Sequence, residues 1–526
     1  KSVGFDMIWF PPASQSTGGV GYIPTKLYNF SQTSWGTEAE LKTMLATYNG
    51  LGMYPIADIV VNHRGGTTSW TDFTEPTWGC ETIAYDDDGG SLHTATYVGC
   101  KPAGANDTGE DFSGARDLDH TNATVQSGIK QYLTLLKELG FKGWRWDVAK
   151  GFSATYFGEY NKASAPYYSV GEYWDGNTTT LKNWIDGTGN APSGTTEKSG
   201  AFDFANYYQL SSAVRFNSYS VLNSNGRMPG IAGQIGYDNK AVTFVDNHDT
   251  FTKTEAILDN NIMKGYAYIL THPGIPCVWA PHYFGGSYTK EGVTRTYADN
   301  QTAINKLMAV RKVNGINAYS YITINQSNST YAAYVKKSFS DADPVIAVKI
   351  GSGTWNPTGD GWILNASGTD YSVWSKKEIT TPAVASSCGV TISLIGDGVS
   401  DWETDVPLST TDNKNYTLSN YNFTGGGVKF RANNSWSVNW GGTDFPTGIG
   451  VKASSDNIPT LAGKYSVTFN IETGAYDFIS GCTCPTEFDP VCANGVQYSN
   501  ACLAECAGAT DYTSGACPTS IGIIGT

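Results

Sequence analysis

Four short apolar runs in the first half of the chain each end at polar and acidic residues, and this repeated pattern constrains the fold most. The runs are PIADIVVNH at 55–63, FKGWRWD at 141–147, YYSVGEYW at 167–174 and AVTFVDNHD at 241–249. Up to about Gly315 such runs alternate with amphipathic stretches, which is typical of βα units with a parallel sheet. Strands of a closed β/α barrel carry the chemistry at their carboxyl ends. The four acidic ends therefore predict one shared active-site rim.

One βα unit can be located from periodicity alone. The apolar side chains that recur every three to four positions are Val125, Ile129, Leu133, Leu136 and Leu139. This spacing predicts a helix, and Gly140 supplies its stop. In the strand FKGWRWD that follows, a period of two places Arg145 and Asp147 on one face, with Asp147 at the carboxyl end.

Composition excludes several classes of function. Lys and Arg number 34 against 48 Asp and Glu, so the net charge is −14, whereas a nucleic-acid partner demands a positive surface. Only 16% of the residues are charged and 40% are hydrophobic, which excludes a long disordered chain. No apolar run reaches the ~20 residues that span a bilayer, and the opening KSVGFDMIWF lacks the pattern of a signal peptide. We therefore expect a soluble protein with no membrane span and no nucleic-acid partner.

Changes of pattern along the chain predict several domains, because 526 residues are too many for one compact core. Between Arg64 and Asp119 periodicity gives way to Gly, Asp, Thr and Trp, which indicates a small inserted domain or a metal-held loop. After Asn317 alternating runs such as YAAYVKK and PVIAVKI predict an all-β domain, and EITTPAVASS at 378–387 is typical of a linker. The predicted parts are a barrel of 1–63 and 120–315, an insertion at 64–119, an all-β domain at 316–380, a β module at 389–480 and a Cys-rich tail at 481–518.

The cysteines indicate an oxidising compartment. Six of the ten crowd into the tail, where almost no apolar core is available, and such a segment is typical of a disulfide-stapled module. Zinc binding by Cys482 and Cys484 is the alternative, but no His lies nearby and the spacing is irregular. Cys80 and Cys100 are a candidate local pair. We therefore expect an exported protein, secreted or held at the cell surface.

The segments DIVVNH, GWRWDVAKG, GEYW and FVDNHD, in that order, resemble the four short conserved segments of the α-amylase family of glycoside hydrolases. GYIPTKLYNF and DTGEDFSGARDLDH are most similar to its plant-type and maltooligosaccharide-forming branches, and the likeness covers about residues 1–380. The resemblance implies an α/β fold, a (β/α)8 TIM barrel, and retaining endo-hydrolysis of α-1,4-glucosidic bonds in starch. The opening GFDMIWFPP matches the family's second barrel strand, so we expect the first βα unit to be missing from this sequence.

By this resemblance three acidic residues would carry the reaction: Asp147 as nucleophile, Glu172 as general acid/base and Asp249 as stabiliser of the oxocarbenium-like transition state. Arg145 would keep the Asp147 carboxylate ionised, because a nearby cation lowers the pKa of a carboxyl group. Glu172 must stay protonated until the bond breaks, and crowding by the other two carboxylates would raise its pKa. Further substrate contacts are expected from Tyr22, His63, Lys150, Trp174 and His248.

The resemblance also implies a structural calcium ion, held by side chains of Asn62, Asp107 and Asp117 and by carbonyls of Glu110 and Gly151. Calcium takes six to eight oxygen ligands of mixed type, and such an ion would tie the insertion to the barrel. Asp111 is an alternative to Asp107. The acidic run at 86–88 is either a second ion site or an exposed acidic turn.

Residues 389–480 resemble the small β-sandwich starch-binding modules of Bacteroidetes outer-surface glycan systems, through WETDVPL, NNSWSVNWGG and GKYSVTFNIETGAYDF. Trp402, Trp436 and Trp440 are candidates for a platform on which sugar rings stack, and sandwich core is the alternative for one or two of them. Trp436 and Trp440 are four positions apart, which places both on one face of a regular strand.

The tail resembles a Kazal-type domain, through DPVCANGVQYSN followed by Cys-x3-Cys. This resemblance implies the disulfides Cys482–Cys506, Cys484–Cys502 and Cys492–Cys517, with Thr486 at the primary specificity position. The resemblance then implies a serine protease as a partner, but Thr is a poor anchor for trypsin-like pockets, which favours a protease-shielding cap.

The leading hypothesis is a monomeric, exported, calcium-stabilised α-amylase that cleaves starch and maltooligosaccharides. A second hypothesis keeps the same site but favours transglycosylation or release of one defined maltooligosaccharide. The alternative of another class is a glycan-binding or protease-inhibiting protein that uses the barrel only as a scaffold. The presence of all three acidic residues argues against this last alternative.

Overall fold

The computed structural model describes residues 1, 3–31, 33–94, 99–379, 390–410, 414–480, 489–493, 496–506 and 511–515. The chain forms two compact units, Lys1–Pro382 and Ala383–Thr526. The helices of the described ranges include none that combines the length and the apolar character needed to cross a membrane.

Seven parallel strands form the central sheet of the first unit, and their order in space is their order in the chain. The strands are β1 Met7–Phe10, β2 Tyr54–Ile59, β3 Gly143–Trp146, β4 Ser169–Gly171, β5 Gly200–Phe202, β6 Ala241–Phe244 and β7 Ile275–Cys277. The helices are α1 Glu38–Gly50, α2 Ala123–Leu139, α3 Ala154–Ser164, α4 Thr178–Thr188, α5 Phe204–Phe216, α6 Asp259–Thr271, α7 Ala280–Phe284 and α8 Gln301–Val313. Parallel neighbours joined through helices give the barrel-like sheet that the sequence predicts.

Helix α2 shows how local signals fix one of these units. The Asn122 side chain accepts a hydrogen bond from the Thr124 backbone N–H at 2.8 Å and so caps the first turn. The helix ends at Gly140, whose φ of 123° is a backbone conformation that favours glycine. The apolar side chains predicted to form one face are all buried. The predicted helix and its stop are therefore confirmed.

The segment between β2 and α2 contains little regular structure. His63–Arg64 pairs with Arg116–Asp117 as a short antiparallel ribbon, which joins the two ends of the segment. Cys80 and Cys100 are disulfide-bonded, with Cα atoms 5.9 Å apart.

Elsewhere in the first unit, two further ribbons join Gln15–Ser16 to Pro24–Lys26 and Asn190–Ala191 to Gly194–Thr195. Short 3-10 helices span Cys80–Thr82, Asp87–His93, Tyr219–Leu222, Ile231–Gly233 and Asp238–Lys240.

Two antiparallel elements follow the barrel strands. A hairpin of β8 Gly286–Lys290 and β9 Val293–Tyr297 stands between α7 and α8. After α8 a five-stranded antiparallel sheet contains β10 Tyr321–Ser327, β11 Tyr331–Lys336, β12 Ile346–Ile350, β13 Ile363–Gly368 and β14 Tyr371–Ser375. Its spatial order is β10-β11-β12-β14-β13. The all-β domain predicted after Asn317 is therefore present.

The second unit is built from antiparallel strands. They are β15 Ile392–Ile395, β16 Val406–Pro407, β17 Ser409–Thr410, β18 Asn415–Ala432, β19 Ser435–Gly441, β20 Thr447–Ile449, β21 Val451–Lys452, β22 Ile458–Asn470 and β23 Ala475–Ser480. The tail adds β24 Val491–Ala493, β25 Val496–Tyr498, α9 Ala501–Cys506 and β26 Thr513–Ser514. The predicted linker at 378–387 lies largely outside the described residues.

Candidate active site

The carboxyl ends of β2, β3 and β4 bring the predicted nucleophile and acid/base together. Asp147 and Glu172 each follow the last residue of a strand, β3 and β4 respectively. The Asp147 N–H donates to the Ile59 carbonyl of β2 at 3.1 Å, and the Glu172 N–H donates to the Trp146 carbonyl of β3 at 2.9 Å. These bonds continue the ladder past the strand ends, so rigid backbone holds both carboxyl groups.

One buried guanidinium links three carboxyl groups. Arg145 Nη1 donates to Asp147 Oδ1 at 2.6 Å and to Asp58 Oδ1 at 2.8 Å. Its Nη2 lies 2.7 Å from Glu172 Oε1, a charge contact without the alignment of a hydrogen bond. Burial lowers the pKa of Arg145, but the three carboxylates raise it more, so the pKa lies well above its usual value. Arg145 is therefore a permanent cation at the centre of the cluster.

Glu172 is in the environment of a proton donor. Its side chain is only 7% exposed, and burial is the largest cause that raises its pKa well above the usual value. The charges of Asp147 and Asp249 raise the pKa further, while Arg145 opposes the shift. Among the described residues, Glu172 Oε1 has no hydrogen-bond donor. The carboxyl group is thus suited to carry a proton at neutral pH.

Asp58 belongs to the same cluster but was not among the residues singled out from the sequence. It lies opposite Arg145 in the β2–β3 register. Its carboxylate also accepts hydrogen bonds from the Tyr22 hydroxyl at 2.8 Å and from Trp9 Nε1 at 3.1 Å. Burial raises its pKa to about 7 against the opposing effect of Arg145. A single carboxylate inside the apolar run PIADIVV was the signal that could have found it.

Asp249 lies on the loop that follows β6. The Asn247 side chain shapes this loop by accepting from the backbone N–H groups of Asp249 and Thr250, both at 2.8 Å. Asp249 Oδ2 lies 3.1 Å from His248 Nε2, and its Oδ1 forms an ion pair with Lys290. Burial opposes a low pKa for Asp249, yet His248 and Lys290 bring the pKa below its usual value. Lys290 was not predicted from the sequence.

The predicted substrate residues surround this cluster. The Tyr22 ring stacks on the His248 ring with centroids 5.4 Å apart, and His63 contacts the Tyr22 carbonyl at 2.8 Å. His63 is almost fully buried and stacks on Phe112. Burial lowers the pKa of His248 to about 4, so this imidazole is neutral at neutral pH.

Lys150 lies between β3 and α3, and Trp174 lies between β4 and α4, two positions after Glu172. Lys150 Nζ lies 3.4 Å from carboxylates of both Glu110 and Asp175. Trp174 Nε1 donates to the Tyr208 hydroxyl at 2.7 Å. A cavity of about 220 Å³ opens here, lined by Trp174, Tyr207, Tyr208, Thr250, Lys253 and Glu255.

A second acidic group joins the insertion to the barrel. Asn62 Nδ2 donates to Asp117 Oδ1 at 3.0 Å, and a Cβ placed on Gly151 would lie 1.9 Å from Asn62 Oδ1. Within the described part of the chain, the buried atoms Asn62 Oδ1 and Asp107 Oδ2 have no hydrogen-bond partner. The Glu110 N–H donates to the Lys150 carbonyl at 2.9 Å, beside Gly151. Four of the five predicted ligand residues, Asn62, Glu110, Asp117 and Gly151, are therefore neighbours, and the charge of the fifth, Asp107, acts on Asp117.

Among the described residues, carboxylates outnumber the cations around this group. Ligand oxygens of Asp87, Asp111 and Asp117 lie within 4.8 Å of one another, an arrangement that could hold a metal ion. Burial first, and then neighbouring carboxylates, raise the pKa of Asp117 to about 9 and that of Asp107 to about 6. Asp87 is buried and bonded to Arg116 Nη1 at 2.7 Å, so the acidic run at 86–88 is not simply an exposed turn.

The predicted aromatic platform of the second unit needs one correction. Trp402 and Trp436 are 37% and 46% exposed, and their ring centroids lie 6.1 Å apart. Trp440 is only 3% exposed and packs on Phe469, so for this ring the alternative of sandwich core holds and the platform candidacy does not. The reason is that β19 is not a regular strand between the two tryptophans, because its pairing with β18 jumps from Arg431↔Asn439 to Ala432↔Ser435.

The cysteines of the tail are only partly within the described residues. Cys492 and Cys502 are both disulfide-bonded. Their expected partners Cys517 and Cys484 lie outside the described ranges, as do Cys482 and the predicted specificity residue Thr486. The pairing Cys482–Cys506 likewise stays a prediction.

Comparison with known proteins relates this arrangement to one family. A family profile described as "Alpha-amylase C-terminal beta-sheet domain" matches residues 313–375. The chain is 34% identical over 393 residues to "Probable alpha-amylase 2" of Arabidopsis thaliana, which covers 71% of this chain and 87% of that protein. It is 30% identical over 408 residues to "Alpha-amylase 3, chloroplastic" of the same plant, covering 71% of this chain and 41% of that protein. The solved structure of an Anoxybacillus alpha-amylase matches the fold with a TM-score of 0.52 at 16% identity, over 72% of this chain and 88% of that one.

Proposed function

This chain belongs to the α-amylase family and hydrolyses α-1,4-glucosidic bonds, and we propose that Asp147, Glu172 and Asp249 carry out that reaction with retention of configuration. The observation that best supports the proposal is the single guanidinium of Arg145, which contacts both Asp147 and Glu172. Retaining glycosidases need two carboxyl groups ~5–5.5 Å apart, and a shared guanidinium keeps two carboxyl groups at such short range.

The two carboxyl groups then take different roles because their surroundings differ. Asp147 attacks the anomeric carbon while Glu172 gives its proton to the leaving glycosidic oxygen, which breaks the bond and leaves a covalent glycosyl-enzyme. Glu172, now ionised, takes a proton from water, and the resulting hydroxide displaces Asp147. Asp249, whose carboxylate forms an ion pair with Lys290, binds sugar hydroxyls and stabilises the positive charge of the transition state.

Reducing-sugar release from soluble starch tests this function. Purified protein should release new reducing ends, and maltooligosaccharides should accumulate. Binding of starch without any release would instead support the alternative of a non-catalytic glycan-binding protein.

We further propose that calcium occupies the acidic group around Asn62 and Asp117. The support is chemical, because Asn62 Oδ1 and Asp107 Oδ2 are buried without a hydrogen-bond donor in the described part of the chain, and the neighbouring ligands are all oxygens, which hard cations prefer. The residues that would hold the ion are Asn62, Asp107 or Asp111, Asp117 and the carbonyls of Glu110 and Gly151. The ion would supply positive charge that ties the insertion to the barrel.

Chelation should therefore lower the thermal midpoint and the activity together. At free calcium ~100-fold above its dissociation constant, ligand linkage predicts ~2.7 kcal/mol of stabilisation. Differential scanning fluorimetry with and without chelator measures it, and Asp107→Asn and Asp111→Asn compared side by side identify which carboxylate is a ligand. Superimposable melting curves in excess calcium and in excess chelator would count against a structural ion.

The second unit is proposed to bind starch through Trp402 and Trp436. Both rings are exposed and adjacent, and the Arg431 guanidinium lies 4.8 Å from the Trp436 ring centroid while pairing with Asp405. An aromatic surface fixed from behind by an ion pair and open to solvent suits the apolar face of a sugar ring.

Replacing Trp402 and Trp436 together by Ala should weaken adsorption to granular starch and leave hydrolysis of a short soluble oligosaccharide unchanged. Trp440→Ala is the matched control, since it removes a core ring at a cost of about 3–5 kcal/mol and should destabilise the unit. A folded double variant that adsorbs like the wild type would eliminate this binding surface.

Export and a protective role for the tail complete the proposal. The support is the disulfides of Cys80–Cys100, Cys492 and Cys502, because such bonds persist in oxidising compartments. We propose a secreted or cell-surface enzyme whose Kazal-like tail resists proteases, with inhibition of a serine protease as the further possibility.

A further inference from the structure

The hairpin of β8 and β9 reaches from one side of the barrel to the catalytic loop after β6. Its turn consists of Glu291 and Gly292, both with positive φ (53° and 77°), as a type I′ hairpin turn requires. The last residue of β8 is Lys290, directly before this turn. The tight turn thus presents the Lys290 ammonium at the tip of a short and stiff element.

Several contacts fix the hairpin to the loop. Arg295 Nε donates to the Phe251 carbonyl at 3.3 Å. The Trp279 ring lies between the two elements, 5.2 Å from the Phe251 ring and 5.7 Å from the Tyr297 ring, centroid to centroid. Because the base of the hairpin is anchored in this way, its tip has little freedom to swing away from the loop.

Lys290 uses this position to contact the proposed transition-state stabiliser. Its Nζ forms an ion pair with Asp249 Oδ1 and lies 3.2 Å from the His248 carbonyl. Lys290 and Asp249 side chains are 36% and 25% exposed, so the pair is partly shielded from water. Ion pairs that are fully exposed contribute little free energy. This one differs because the hairpin that carries Lys290 is anchored at its foot, because Lys290 makes a second contact, and because its partner is the proposed stabiliser.

We propose that Lys290 is a positioning residue of the hydrolytic reaction, which holds the Asp249 carboxylate in its ionised state and fixes the direction in which its free oxygen meets the sugar. The inference rests on the proposed role of Asp249. The groups that face Asp249 are His248 of its own loop, Lys290 of the hairpin, Arg145 of β3 and Glu172 after β4.

The other facing groups cannot replace Lys290. His248 lowers the pKa of Asp249 only when it is itself protonated, and because burial lowers its own pKa to about 4 it offers Asp249 no positive charge at neutral pH. Arg145 is already shared by Asp58, Asp147 and Glu172. Glu172 is a carboxyl group and adds no positive charge. Among the described residues, Lys290 is therefore the cation that pairs with Asp249 and with no other carboxylate.

The test compares pH–rate profiles of wild type, Lys290→Met, Lys290→Arg and Glu291→Gln on a soluble maltooligosaccharide. Lys290→Met should lower kcat by ~10-fold, as expected when a charge-assisted partner of a catalytic group is lost. It should also move the acid limb of kcat upward by ~0.5–1 pH unit, since loss of a nearby cation raises the pKa of Asp249. Lys290→Arg keeps the charge and should retain the wild-type acid limb.

Glu291→Gln is the matched control, because Glu291 lies in the same turn and pairs only loosely with Lys253, at 3.8 Å. It should behave as wild type. An acid limb that coincides in Lys290→Met and wild type would overturn the proposal, whether or not kcat falls. Equal shifts in all three variants would also overturn it, by tracing the effect to hairpin folding. If Lys290→Met does not fold, the same comparison is made between Lys290→Gln and Lys290→Arg. A wild-type protein that does not hydrolyse the substrate would instead contradict the proposed function.

Discussion

Replacing Asp147 by Asn should lower the rate of starch hydrolysis by at least ~10⁴-fold, because an amide cannot form the glycosyl ester with the anomeric carbon. Starch binding should persist, since the side chain keeps its shape and its contact with Arg145. Reducing-sugar release measures the rate, and adsorption of the protein to immobilised starch measures binding.

Asp6→Asn is the matched control for this substitution. The Asp6 carboxylate is 68% exposed and, among the described residues, forms an ion pair only with Lys1 at 2.7 Å, so its loss should leave the rate unchanged. Turnover by Asp147→Asn near the wild-type rate would contradict the assignment of Asp147 as nucleophile. The alternative nucleophile would then be Asp58, the other carboxylate that accepts from Arg145 Nη1.

Replacing Arg145 by Met should both inactivate the enzyme and destabilise its first unit. The guanidinium is buried among Asp58, Asp147 and Glu172, and its removal leaves three carboxyl groups without their cation. Breaking a buried ion pair by removing one partner costs about 3–5 kcal/mol. Urea unfolding followed by tryptophan fluorescence measures this loss.

Arg145→Lys separates charge from geometry. A lysine keeps the positive charge but cannot reach three carboxyl groups with a planar fork of donors, so its stability and activity should lie between those of the wild type and of Arg145→Met. A Met variant that unfolds at the wild-type urea concentration would show that the cluster does not depend on its cation.

Local patterns explain what could be predicted from the sequence. Helix α2 followed from its apolar spacing and from Gly140, because both signals act within the helix itself. The positions of Asp147 and Glu172 followed from the rule that parallel strands present their carboxyl ends at one edge of the sheet. Each of these inferences needs only residues that are close together in the chain.

Interactions between distant segments explain what could not be predicted. Lys290 meets Asp249 across 41 positions through a hairpin, and no local pattern encodes that contact. The even spacing of Trp436 and Trp440 predicts one shared face only for a regular strand, whereas the β18–β19 register shifts between the two rings and Trp440 lies in the core. Asp58 could be recognised only once the β2–β3 register had brought it opposite Arg145.

The central claim is that Asp147 and Glu172 hydrolyse α-1,4-glucosidic bonds in two displacements with a covalent intermediate. Proton NMR of the anomeric region, recorded during the first minutes of hydrolysis of a maltooligosaccharide, tests it most directly. A double displacement retains configuration, so the account predicts that the α-anomer of the new reducing end forms first and the β-anomer follows by slow mutarotation. Initial formation of the β-anomer would contradict it, since one water-driven displacement would then have replaced the attack by Asp147.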